Sequence, residues 1–149
     1  MAVVGFTKLE ALFRASEGLD IHKGDAKEIT DIIEQKLQDL LIAGERIANL
    51  NGRDVILESD VPITKGLQET IIAFRKLEES IPLEDILEHL ASVPPLKYPL
   101  AVELEEKLPE ITGAILITLA KIIKVINGGG RTFSHEDIKK AKEIVDLTL

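Results

Sequence analysis

Cysteine and tryptophan are both absent from this chain of 149 residues, and Tyr98 is its only tyrosine. The absence of cysteine excludes disulfide scaffolds, cysteine-based zinc sites and thiol catalysis. Aromatic residues make up only 3% of the chain, whereas apolar residues make up 45%. The core must therefore consist mainly of leucine, isoleucine, valine and alanine, a mixture that favours packed helices.

Long apolar runs are also missing. Residues 1–20 mix charged with apolar side chains, so the sequence predicts no signal peptide. The uncharged run "ITGAILITLA" at 111–120 is about half of the roughly 20 residues that a membrane helix needs. We therefore expect a cytoplasmic protein that makes no membrane contact.

Positive charge is scarce in both halves of the chain. The net charge is −8, with 18 Lys+Arg against 26 Asp+Glu, and neither half carries a basic tail. A nucleic-acid binder usually has a basic domain or stripe, so this balance disfavours DNA as a partner. Plentiful Glu, Lys and Ile beside little Met and no Cys is typical of heat-adapted proteins, which makes heat adaptation a hypothesis.

Three helices are predicted in the first half. A Thr7-x-x-Glu10 capping box begins a short helix at about 7–17, and Asp25 begins a long helix at about 26–50. Ser59 or Asp60 then opens a third helix that reaches about residue 77. The long helix carries apolar residues at three- and four-residue steps, typical of a buried stripe: Ile29, Ile32, Ile33, Leu37, Leu40, Leu41, Ile47, Ala48 and Leu50.

The second half predicts the same order of short, long and short helices. A short helix over "LEDILEHLA" at 83–91 begins after Ser80 and Pro82, and a long helix runs from about 99 to 127. Pro109 should kink or break this long helix, and Gly113 would permit another element to approach closely. Ser134 with Asp137 caps the last helix.

A related segment follows each long helix. "NGRDVILESDV" at 51–61 and "GGRTFSHEDI" at 129–138 each combine Gly-Arg, a brief extended piece and a helix start. A long helix of about 26 residues measures about 39 Å, too long for its own two neighbours to cover. The sequence therefore predicts one compact unit over 1–149, in which two halves, 7–78 and 80–149, cover each other's long helix.

Short, long and short helices with a Gly-Arg loop and an acid at the third helix resemble the histone fold. The whole chain resembles a tandem histone-fold protein, as found in a small family of bacterial proteins of unknown role. This resemblance implies an all-α fold with two histone-fold motifs packed as an intramolecular handshake dimer. It also implies two structural ion pairs, Arg53 with Asp60 and Arg131 with Asp137.

In a handshake, the first loop of one motif lies beside the second loop of the other. The resemblance therefore implies two loop contacts, His22 and Lys23 beside Arg131 and Thr132, and Lys97 and Tyr98 beside Arg53 and Val55. It makes four residues candidates for DNA contact: Lys23, Arg53, Lys97 and Arg131.

Acidic residues count against phosphate binding at the first helix of each half. A helix N-terminus attracts phosphate through its free N–H groups and its dipole. Glu10 is predicted in the first turn of one such helix, and Glu84 and Asp85 in the first turn of the other. These carboxylates would repel phosphate.

No motif indicates catalysis, a metal or a cofactor. His22, His89 and His135 lack the spacing of a zinc motif, and "NGGG" at 127–130 lacks the Lys-Ser/Thr of a phosphate-binding loop. Paired acids such as Glu103, Glu105 and Glu106 are typical of a solvated helix face. We therefore expect no enzyme activity and no cofactor.

The expected function is that of a non-catalytic histone-like structural or interaction protein. The alternative is a nucleoid-associated DNA-binding protein that contacts phosphates through the paired loops. The partner is then an unknown protein or a second copy of the chain. Self-association is suggested by the width of the apolar stripe of the second long helix, which extends to Ile117, Ile123 and Val125.

Overall fold

Five α-helices make up most of the chain that the structure describes. The structure is a computed structural model, and it describes residues 6–81, 90–91 and 93–149. The helices are α1 (Phe6–Glu17), α2 (Lys23–Leu50), α3 (Lys65–Glu78), α4 (Val102–Ile126) and α5 (His135–Thr148). Over these residues there is no β-strand beyond one isolated bridge, so the expected all-α class is confirmed.

The helices of the first half begin at other residues than the capping signals predict. Helix α1 already includes Thr7 and Glu10, so neither residue caps it. Helix α2 begins at Lys23, with His22 as its N-cap, instead of beginning after Asp25. Lys23 and Asp25 therefore both lie in the first turn of α2 and not in a loop.

The third helix is shorter than predicted. Glu58–Asp60 forms a separate turn of 3-10 helix, and α3 starts only at Lys65. Thr64 caps α3 by accepting a hydrogen bond from the Leu67 amide at 3.1 Å. Asp60 does not open α3, because its carboxylate accepts the Leu57 amide at 2.8 Å and closes the 3-10 turn instead.

The second half follows the prediction more closely. Helix α4 runs through Pro109 without a break, since Leu108 and Ile111 on either side are buried and packing holds the helix together. The Ser134–Asp137 cap of α5 is confirmed. The short helix predicted at 83–91, with Glu84, Asp85 and His89, lies almost wholly outside the described residues.

One hydrophobic cluster contains buried residues of both halves. Helix α4 contacts α1, α2, α3 and α5, and α3 packs mainly against α4. Ile117 and Ile123 belong to this cluster, so they are not available for self-association, whereas Val125 is 80% exposed. None of the described helices is both long and apolar enough to cross a membrane.

The two halves approach each other closely at Gly113 of α4. A side-chain carbon built at Gly113 would overlap three ring carbons of Phe74, which is fully buried in α3. The ring of Phe74 therefore occupies the space that any larger residue at 113 would need.

Gly113→Ala should lower the free energy of unfolding by about 1–3 kcal/mol, because the added methyl group overpacks the Phe74 ring. Urea denaturation measures this loss. Gly66→Ala is the matched control, since Gly66 lies in α3 with no atom within 4 Å of the added carbon. The control should be neutral or slightly stabilising. If Gly113→Ala is equally harmless, the close approach is wrong.

Candidate nucleic-acid interface at the paired loops

The loop before α2 is joined to the loop after α4. The backbone amide of Asp20 donates a hydrogen bond to the carbonyl oxygen of Arg131 at 2.7 Å. The Asp20 carboxylate also contacts two guanidinium groups, that of Arg14 at 3.2 Å and that of Arg131 at 3.5 Å. We call the contact between residues 18–22 and 127–133 joint A.

The loop after α2 is joined to the segment before α4. Ile56 forms a parallel β-bridge with Leu100, in which its amide donates to Pro99 and its carbonyl accepts from Ala101, both at 2.9 Å. We call the contact between residues 53–57 and 96–101 joint B. The start of each long helix therefore lies near the end of the other.

The carboxylate of Glu45, a residue of α2, binds the backbone of joint B. One oxygen of Glu45 accepts hydrogen bonds from the successive backbone amides of Lys97, at 2.5 Å, and Tyr98, at 3.0 Å. The Tyr98 hydroxyl donates to the side-chain oxygen of Asn49 at 2.9 Å. Sequence reasoning missed Glu45 and Asn49, because a polar side chain on a helix gives no signal of a partner some fifty residues away.

Arg53 and Asp60, predicted to form a structural pair, lie in contact within the same loop. The guanidinium group of Arg53 donates two hydrogen bonds to one oxygen of Asp60. The other oxygen of Asp60 accepts the Leu57 amide, and the residue is only 2% exposed. Both Asp60 oxygens are therefore satisfied inside the protein, and the charge of Arg53 is neutralised locally.

The predicted pair of Arg131 with Asp137 is wrong. Arg131 contacts Asp20 of the other half, whereas Asp137 accepts the Ser134 amide at 3.0 Å as part of the helix cap. Asp137 therefore belongs to the cap of α5, and the acid that pairs with Arg131 is Asp20.

The predicted register of the loops is wrong at joint A, but at joint B it lies within one residue of the structure. At joint A, Asp20 meets Arg131, while His22 and Lys23 belong to the start of α2. At joint B, Ile56 pairs with Leu100 in a parallel bridge, and Arg53 and Lys97 each lie three residues before this pair. The predicted placement of Lys97 and Tyr98 beside Arg53 and Val55 therefore agrees with this register to within one residue.

Two candidate DNA-contacting lysines stay exposed. Within the described residues, neither Lys23 nor Lys97 has an ion-pair partner. Glu10 lies beyond the first turn of α1, where it contacts Arg14 at 3.6 Å, so its predicted place in that turn is wrong. Of the four candidate cations, two are thus paired with acids and two are free.

A buried lysine ties α2 to α5. Lys36 is 4% exposed, and its ammonium group donates to the carbonyl oxygen of Leu149 at 3.2 Å, close to Asp39 and Asp146. A hydrogen bond from Lys142 lowers the pKa of Asp146 below its ordinary value, and the same bond raises the pKa of Lys142. The stabilisation from Asp146 is therefore lost as the pH falls through its lowered pKa.

An open groove of about 810 Å³ lies between α3 and the first half of α4. Two ion pairs line it, Arg75 with Glu110 at 2.6 Å and Lys107 with Glu58 at 2.9 Å. The hydrogen bond to Glu110 raises the pKa of Arg75 above its ordinary value. These side chains are engaged with each other, which favours a structural role for them.

Metal ligands are not gathered anywhere in the described ranges, where no three His, Cys, Asp or Glu side chains could hold an ion together. His135 Nδ1 lies 3.2 Å from an oxygen of Glu28 that is buried and has no hydrogen bond. His135 is thereby explained as a contact between α5 and α2.

Arg53→Ala should lower the free energy of unfolding by about 3 kcal/mol, because it leaves the buried Asp60 without its cation. Arg131→Ala is the control, since Arg131 is 74% exposed and its pair should contribute less than about 1 kcal/mol. Denaturant titrations of both variants measure the difference. Equal losses would contradict the structural role of Arg53.

Two proteins of Aquifex aeolicus (strain VF5) are similar to the chain over most of its length. One is 31% identical over 142 residues, which cover 95% of this chain and 82% of the relative. The other is 33% identical over 146 residues, which cover 92% of this chain and 87% of the relative. Both are named only as uncharacterized proteins. These homologues come from thermophiles, while heat adaptation of this chain stays a prediction.

Two crystal structures are similar in fold. One, of a protein from Thermus thermophilus, has a TM-score of 0.88 and 38% identity over 100% of both chains. The other, of protein AQ328 from Aquifex aeolicus, has a TM-score of 0.84 and 30% identity over 97% of this chain and 95% of that chain. The sequence model of a domain of unknown function, DUF1931, matches residues 9–146. The chain therefore belongs to the DUF1931 family.

Proposed function

We propose that the chain is a non-catalytic, histone-like structural protein of the cytoplasm that acts through protein contacts. In this proposal residues 7–78 and 80–149 are two histone-fold motifs joined as an intramolecular handshake dimer. The observation that carries the proposal is the exchange of loops at joints A and B. Each loop that follows a long helix is hydrogen-bonded to the segment that precedes the other long helix.

The packing of α3 supports an interlocked pair. Helix α3 follows α2 in the chain, yet it packs mainly against α4 of the other half. The ring of Phe74 in α3 packs against Gly113 of α4. Two halves that folded separately would bury α3 on its own long helix instead, so this exchange favours the handshake arrangement.

Protein contact is favoured by the charges and by apolar residues left on the surface. Three of the four candidate DNA-contacting residues have part of their polar groups engaged inside the chain, Arg53, Arg131 and the backbone of Lys97. Val125 of α4 and Leu147 of α5 are 80% and 85% exposed. We propose that these two apolar side chains take part in contact between two copies of the chain.

Light scattering at high protein concentration should give a mass above the 16.4 kDa of one chain. Val125→Lys combined with Leu147→Lys should lower the mass, because charge at an apolar contact disfavours burial. Leu50→Lys is the control, since Leu50 is 76% exposed but lies on α2. A single-chain mass for the unaltered protein would contradict self-association.

DNA binding is the second candidate, and the free side chains of Lys23 and Lys97 favour it. A fluorescence anisotropy titration with duplex DNA at low and moderate salt tests it. Two free cations would give a log–log salt slope of at most about 1.8, at about 0.9 per phosphate. The lead proposal expects no anisotropy change at tens of micromolar protein in low salt, and clear binding there would favour the second candidate.

A further inference from the structure

We propose that Asp20 and Glu45 are internal anions, which occupy the two places on the loop joints where an external phosphate group would otherwise bind. The inference rests on the proposed pairing of the loops, and it goes further by naming the residues that close this surface to phosphate.

Glu45 fills a backbone site for an anion at joint B. Two successive amides, of Lys97 and Tyr98, converge on one carboxylate oxygen at 2.5 and 3.0 Å. Successive backbone N–H groups that point to one place form an anion-binding concavity. The exposed side chain of Lys97 starts from the same loop, so an external phosphate there would meet two amides and one ammonium group.

Asp20 fills a side-chain site for an anion at joint A. Its carboxylate lies between the guanidinium groups of Arg14 and Arg131, at 3.2 and 3.5 Å. Paired guanidinium groups are strong ligands for phosphate as well as for carboxylate. The backbone bond from Asp20 to Arg131 holds this carboxylate in place, so an external phosphate must compete with an anion that the fold positions.

The two internal carboxylates lie at opposite ends of the long helices. Helix α4 has 25 residues and is therefore about 38 Å long. Removing both carboxylates would expose two phosphate sites separated by roughly this distance, which one duplex could span. The shared chemistry is that of a phosphate group, and the test separates a DNA phosphate from free inorganic phosphate.

The test compares two double variants of equal charge. Asp20→Ala with Glu45→Ala changes the net charge from −8 to −6, since −8 + 2 = −6. Glu34→Ala with Glu106→Ala makes the same change at acids that have no ion pair or side-chain hydrogen bond within the described residues. Anisotropy with labelled duplex DNA gives the affinity, and thermal melts show that each variant is folded.

The Asp20 and Glu45 variant should bind duplex DNA at least about tenfold more tightly than the unaltered chain, and salt should weaken this binding. The Glu34 and Glu106 variant should bind like the unaltered chain. A melting temperature that rises in inorganic phosphate, but not in chloride of equal ionic strength, would extend the result to free phosphate. Binding of DNA without this rise would restrict the sites to phosphates of a duplex.

Equal gains in both double variants would overturn the proposal, because net charge alone would then explain them. A folded Asp20 and Glu45 variant that gains no affinity would overturn it as well. If the double variant does not fold, Glu45→Ala alone should still gain at least about threefold, and no gain there would have the same meaning. A single-chain mass in light scattering would refute self-association but leave this inference intact.

Discussion

The apolar stripes of α2 and α4 impose the constraint on which the rest of the structure depends. Both stripes are buried along most of the helix length, although each long helix has only short helices beside it in its own half. Removing this apolar surface from water is the main favourable contribution to folding. It is possible here because α1 and α3 of the first half both contact α4, and α5 of the second half contacts α2. The halves therefore stabilise each other.

The polar contacts of the molecule follow from this exchange. The start of each long helix lies near the end of the other. At both ends of this pair of helices, a loop of one half is therefore in contact with a loop of the other half. The loops need partners for their backbone groups, because buried amides and carbonyls without hydrogen bonds are costly. Ile56 pairs with Pro99 and Ala101 at one end, and Asp20 pairs with Arg131 at the other. The amides of Lys97 and Tyr98 take no part in the first of these pairings, and they donate to the carboxylate of Glu45.

Local sequence signals predicted a helix start correctly where residues close in sequence determine it. They failed where a contact with a distant residue determines it. The Ser134–Asp137 cap involves four consecutive residues, and the structure contains it as predicted. Thr7 and Glu10 give a similar signal, yet α1 already includes Phe6, which is half-buried and packs against the core. Packing of this kind outweighs the contribution of a cap.

The candidate site was predictable in place but not in detail. The repeated Gly-Arg segments correctly located the two loops that meet segments of the other half. The register at joint A and the contact of Glu45 with joint B were not predictable, because the partners of Asp20 and Glu45 lie far along the chain. Arg131 illustrates the difference, since the repeated pattern pairs it with Asp137, whereas the acid that it contacts in the structure is Asp20.

Tyr98 has a consequence for how this molecule is observed in solution. It is the only tyrosine, the chain has no tryptophan, and its hydroxyl is bonded to Asn49 at joint B. Ultraviolet emission excited in the tyrosine band therefore originates from one position, where the two halves meet. The native sequence thus carries its own optical reporter of that junction, and opening of the halves is observable without attaching a dye.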